Sequence, residues 1–201
     1  MTIERDHYEE LLATYSQSSE AIELLKQHRP YLELMPSMRR PTESLITIPM
    51  PIVRLRKIEH LAHAQLKTYE PTLLPCEVVV LMCDPEWKIK TGHEVFVFVH
   101  RPEEDFSDLL GRWRKTQLLL GQEYDWMLPP KYQHFLNEGA EKRYPLFVLF
   151  EETPERVRRG LKGANLPFVI QTIVKTQPRY NEVSEGTLSS MPEPEVAHDE
   201  A

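Results

Sequence analysis

A continuous apolar run, Val95 to Val99, passes almost without a spacer into a segment whose apolar residues recur at helical spacing. The run predicts a strand, and Phe106, Leu109, Leu110, Trp113 and Leu120 predict the buried stripe of a helix over 102–120. Pro102 in the first turn, Glu103, Glu104 and Asp105 near the start, Arg112, Arg114 and Lys115 further along, and Gly121 at the stop all suit that helix. His100 and Arg101 crowd the junction, and the carboxyl end of a strand is where α/β domains gather ligands.

The same reading extends along the chain. Glu77 to Cys83 is an apolar strand, expected to be buried on both faces and to form a hairpin with Val95–Val99 across the turn Asp84-Pro85-Glu86. Leu146–Phe150, Thr153–Leu161 and Phe168–Val174 read as strand, helix and strand, with Thr153 as cap, Pro154 at the first position and Gly163 at the end. Residues 3–28 read as helix in two pieces, the second capped by Ser18 or Ser19. Five prolines between Pro30 and Pro51 predict a connecting arm, and Ile52, Leu55, Ala62 and Leu66 predict a helix over 52–69. Around Trp126 the pattern is irregular, with a short helix expected from Tyr132 to Asn137. The sum is an α/β (or α+β) fold: one three-layer domain with a central mixed sheet. The expected division is an N-terminal helical arm and proline-rich connection over 1–51, a core over 52–180, and a disordered acidic tail over 181–201.

Composition narrows the function classes. The net charge is -7, but residues 181–201 hold six acids and no Lys or Arg, and the middle of the chain, 31–180, has 21 bases against 19 acids. A near-neutral body argues against tight, purely electrostatic DNA binding and leaves nucleic acid open as a partner. No apolar run approaches the roughly 18 residues of a membrane span. The opening M-T-I-E-R-D-H-Y-E-E is too acidic for a secretion signal, so the expectation is a soluble, cytoplasmic protein with no membrane partner. The N-terminal helices are expected to serve another protein, or a second copy, as a docking arm.

Candidate chemistry is sparse. Phosphate-cradling glycine loops, nucleophile elbows and zinc-protease helices are missing from the sequence, and no cofactor is implied. His60 and His63 would share a face of the helix expected there and could join Cys76 or Cys83 around zinc, but C-x6-C on a strand is not a zinc-knuckle spacing, so no metal is assigned. The two cysteines, seven residues apart on one strand, are expected to be reduced thiols.

A metal-dependent nuclease needs carboxylates for Mg2+ and a lysine beside the attacking water. Glu77, Glu86 and Lys88 are the candidates, although Glu86 belongs to the turn signal and an exposed hairpin tip explains it equally. Arg156, Arg158, Arg159 and Lys162 line a helix on which Val157 and Leu161 point inward; that face could track phosphates, together with Arg101, or simply be solvated.

The order L-L-P-C-E-V-V-V-L, then E-V-F-V-F-V-H-R-P-E-E-D-F-S-D-L-L-G-R-W, then P-L-F-V-L-F-E-E-T-P-E-R-V-R-R-G-L resembles the replication-relaxation family over residues 73–162. Those are mobile-element proteins with a restriction-endonuclease-like, PD-(D/E)XK-type core. Where the family has a Pro-Asp pair opening the first strand, this chain has Pro75-Cys76; where its second strand ends in acids before an arginine, Phe98 and His100 stand before Arg101. The resemblance implies a nuclease-like fold that has lost its metal-binding acids and serves as an accessory or adaptor in DNA transactions of a mobile element or phage. Two other readings stand beside it: a protein-interaction module without nucleic acid, and a divergent Mg2+-dependent nuclease.

Overall fold

The computed structural model describes residues 13–14, 17–61, 64–87, 89–101, 103–132 and 140–172, with only the backbone for 57–61 and 64–69. The acidic tail, Lys88, Pro102, His63 and residues 1–12 lie outside it. Along the chain come α1 (Ser18–Lys26), α2 (Arg29–Leu32), β1 (Leu45–Pro49), β2 (Ile52–Leu61), β3 (Ala64–Leu73), β4 (Val78–Asp84), β5 (Ile89–Val99), α3 (Phe106–Leu119), β6 (Tyr124–Trp126), β7 (Lys142–Phe150), α4 (Glu155–Gly163) and β8 (Phe168–Gln171).

Five strands form a mixed sheet in the order β1-β4-β5-β7-β8. β1, β4 and β5 run antiparallel as neighbours, and β5, β7 and β8 run parallel. Parallel neighbours require a crossover, which α3 supplies between β5 and β7, and α4 between β7 and β8. The central strands are apolar throughout because both faces are covered, and the two-residue alternation divides their side chains cleanly. Val78, Val80, Met82, Val95, Val97, Val99, Leu146 and Val148 meet α1 and α2 on one side. Val79, Leu81, Phe96, Phe98, Phe147 and Leu149 meet α3, α4 and a second, three-stranded sheet on the other. The expected three-layer α/β architecture is therefore what the chain adopts.

Two segments differ from their sequence reading. Residues 52–61 and 64–69 are not a helix: β2 and β3 pair antiparallel from Ile52↔Leu73 to Leu61↔Ala64, and β6 adds Val53↔Trp126 and Leu55↔Tyr124. Of the apolar residues that suggested helical spacing, Leu55 shares its buried face with Val53 across the exposed Arg54, while Ile52, an odd number of residues away, stands on the opposite face of the strand. Within the proline-rich arm, Leu45–Pro49 is the edge strand of the main sheet. Its proline closes the strand, the position an edge tolerates.

Capping differs in detail. α3 starts at Phe106, with Asp105 accepting from the Ser107 and Asp108 amides while Asp108 accepts from the Asp105 amide. α1 follows Gln17 without a side-chain cap, so Ser18 and Ser19 are inside it. α4 ends in a Schellman motif: Asn165 (φ 53°) takes the left-handed position, its amide bonding Lys162 O and that of Leu166 bonding Leu161 O. Gly163 is the last helical residue rather than the stop.

Candidate functional site

At the carboxyl ends of β5 and β7 a charged knot is built from four elements. Glu77, just before β4, is fully buried, and its position is forced by the chain: the Val99 amide donates to Glu77 Oε2 (2.9 Å) across the hairpin. Arg112 arrives from α3, where it shares the inward stripe with Leu109, Trp113 and Thr116. Its Nη2 donates to both Glu77 oxygens, its Nη1 to Glu104 (3.1 and 3.2 Å) and to Val99 O, and its Nε to Pro75 O. The guanidinium also stands 5.5 Å from the Phe98 ring centre. Arg101 donates to Glu77 Oε1 through Nη2 (2.9 Å) and Nε (3.3 Å), with half of its side chain open to solvent. Two carboxylates face two guanidiniums, the condition under which buried charge is tolerated. Glu103 (φ 64°) holds a left-handed turn ahead of Glu104, which also accepts from the Arg101 amide.

His100 completes the junction from inside. Its Nε2 bonds Glu104 O (3.0 Å), and its Nδ1 faces Thr153 Oγ1 (3.4 Å), which itself accepts from the Phe150 amide. A carbonyl can only accept, so Nε2 carries the proton and Nδ1 receives the threonine hydroxyl. Burial pushes the imidazole below its ordinary value, with Glu104 opposing.

A second buried carboxylate, Glu94, joins the two sheets. Tyr124 Oη (2.8 Å), Trp126 Nε1 (2.6 Å) and the Ala140 amide (3.0 Å) all donate to it, and Lys90 Nζ lies 3.7 Å away. Burial drives this carboxyl upward; Lys90 and the three donors pull it back.

The structure brings His100, Arg101 and Glu77 together and separates Glu86. Glu77 and Glu86 flank opposite ends of β4, about 25 Å apart at strand rise. Glu86 caps the exposed turn, where its amide bonds Asp84 Oδ1 and its carboxylate meets Arg40. The trio Glu77, Glu86 and Lys88 therefore does not converge: Glu77 is sealed by arginines, Glu86 is remote, and Lys88 lies outside the described residues. Both ring nitrogens of His100 are engaged, by Glu104 O and Thr153 Oγ1. On α4, Arg156, Arg159 and Lys162 are exposed, whereas Arg158 Nη2 is occupied by Phe150 O and Glu151 O.

Cys76 and Cys83 are free, buried and at opposite ends of β4; burial raises both thiols, Cys83 to about 12. The helical spacing that would have paired His60 with His63 has no basis on a strand, where His60 stands opposite Gln65, and His63 is outside the described residues. Among the described residues no group of three or more His, Cys, Asp or Glu stands close enough for a metal, and no helix is long and apolar enough to cross a membrane. α1 and α2, expected as a docking arm, lay Ile22, Leu24, Leu25 and Tyr31 on the sheet.

Sequence reasoning missed Arg112, Glu104, Thr153 and Glu94. The signals were present in two of them: an arginine inside the buried stripe of α3, and an acid opening the run V-F-V-F-V. Comparison with known proteins returned no matching family model, curated protein or solved structure.

Proposed function

We propose that this chain is a non-catalytic accessory protein of DNA transactions, built on a nuclease-like core and holding the DNA backbone with Arg156, Arg159 and Lys162 of α4. The observation that carries the reading is the state of Glu77. On the β4–β5 hairpin, where a nuclease would present carboxylates to Mg2+, this carboxylate is buried and both its oxygens are bonded by Arg112, with Arg101 and the Val99 amide adding to the set. A divalent cation would have to displace a guanidinium already satisfied at every nitrogen, which no uncompensated charge favours. Support also comes from the hairpin followed by a crossover helix and a parallel strand, and from the sequence resemblance to the replication-relaxation family, under which the transactions would be those of a mobile element.

Phosphate contact through three exposed cations makes a definite prediction. Retention on duplex DNA at low salt should fall linearly in log-log form, and Arg156→Ala with Arg159→Ala should weaken it for all sequences and reduce the salt slope by about 2. Incubation with DNA and Mg2+ or Mn2+ should leave the DNA intact. Absence of retention at low salt removes the DNA reading, and cleavage by the wild type that Glu77→Gln abolishes overturns the non-catalytic one.

A further inference from the structure

Two of the clefts on the described surface differ in their charges. One, between β2, β6 and the start of β7, sets Arg56 and Arg143 against Glu123 and Asp125. Its cations are answered within it, Arg56 by Glu123 and Arg143 by Ala140 O and the Tyr124 ring. The other, of about 480 Å³, lies between the α1–α2 corner and the end of α4. Tyr31, Leu166, Pro167 and Phe168 give it an apolar wall, His28, Asn165 and Lys162 give it polar groups, and it has no carboxylate in its lining.

We infer that this second cleft receives an unpaired base of single-stranded DNA while the flanking phosphates lie along α4, an inference that rests on the DNA-binding reading above. Three observations converge. Arg156, Arg159 and Lys162 recur every three residues, so they form a slanting row of exposed cations about 9 Å long whose last member stands in the cleft lining. The volume falls within the roughly 300–1,000 Å³ of small-molecule sites, enough for a base and its sugar. The third observation decides what enters. The cleft meets the carboxyl end of α4, where Lys162 answers the negative end of the helix dipole and takes a flanking phosphate, and the apolar lining of Leu166, Pro167 and Phe168 leaves the interior to an uncharged planar base. His28, whose imidazole burial keeps below its ordinary value, supplies a neutral ring with a donor and an acceptor for a base edge, and the half-buried Phe168 supplies the stacking surface, Tyr31 being buried against His28.

The test uses the full chain and three fluorescent probes: a twelve-nucleotide oligothymidylate, an abasic backbone of the same length, and a twelve-base-pair duplex. Anisotropy titration should show the oligothymidylate binding at least about tenfold more tightly than the abasic strand and than the duplex. Lys162→Ala should weaken both single strands, and His28→Ala should bring the oligothymidylate down to the abasic level. His28 packs edge-on against Tyr31 with ring centres 4.4 Å apart, so the comparison of base with abasic strand on the wild type decides the matter even where that variant loses its fold. Equal binding of oligothymidylate and abasic strand overturns the base cleft while leaving phosphate contact standing. A duplex bound as tightly as the oligothymidylate overturns the single-strand preference, and binding of none of the three at low salt overturns the base cleft together with the DNA reading beneath it.

Discussion

His100 holds three parts of the molecule with two nitrogens: its own strand β5, the loop ahead of α3 through Glu104 O, and the end of β7 through Thr153. The bond from Thr153 requires an unprotonated Nδ1 and burial disfavours the cation, while the bond to Glu104 O, which either form can make, opposes the shift; the folded state titrates below the unfolded value of 6.5. Above pH 6.5 neither state binds this proton and the contribution is intact. As pH falls from 6.5 towards the folded value, the unfolded chain takes up a proton that the native one refuses, and stability drops by at most about 1.4 kcal/mol per pH unit. Urea unfolding between pH 8 and 5 should show that loss, and His100→Gln, which keeps a donor and an acceptor without titrating, should remove it; an unchanged pH slope in the variant would assign the loss elsewhere. The sequence singled out His100 and Arg101 because helix-start electrostatics explained their acidic neighbours but not them. Their partners were hidden for a physical reason: Glu77, Arg112 and Thr153 come from three separate elements, and only packing brings them to one point.

Elements whose interior is apolar were legible. β4, β7, α3 and α4 stand within four residues of their expected bounds because burial on both faces, or on one helical stripe, leaves a pattern in the sequence; β5 ends at Val99 as expected but begins six residues earlier, at Ile89, in a stretch that is not buried. The β2–β3 hairpin was misread because Ile52 and Leu55 stand three apart, a spacing a helix also gives; among its described side chains Val53 and Leu55 join the core. β6, three residues long, is too short to show a period. One contact between elements makes its own prediction. A Cβ on Gly160 would lie 2.5 Å from Phe106 Cγ, so α4 crosses the start of α3 at a distance only glycine permits. Alanine gains about 1 kcal/mol in helix propensity, while overpacking costs about 1–3 kcal/mol. Gly160→Ala should therefore lower the urea midpoint, by up to about 2 kcal/mol in stability, and Phe106→Leu in the same chain should recover part of it. A midpoint that rises in the single variant would mean the helices part without cost.

At the scale of the whole molecule the chain leaves the main sheet after β1 and re-enters it at β4. The departure is closed at its neck: the Met50 amide bonds Glu77 O (2.8 Å), the Leu74 amide bonds Pro51 O (2.9 Å), and Met50 turns with φ 44°. That neck has a meaning for how the chain grows rather than for what it binds. Closing a loop costs entropy that rises only with the logarithm of its length, about 0.6 kcal/mol per doubling, and a hairpin zipped within the excursion shortens it further. The β1–β4 ladder is thus nearly indifferent to how far the β2–β3 ribbon extends. Ten residues of Gly and Ser inserted between Leu61 and Ala64 lengthen the span between these paired residues by between two and three doublings, so the unfolding free energy should fall by no more than about 1.6 kcal/mol, as read by urea titration, and a larger loss would show that the ribbon's length is coupled to the core. Enclosed by its neck, the ribbon is a place where sequence can be added or exchanged while the knot around Glu77, one residue beyond Cys76, keeps its register.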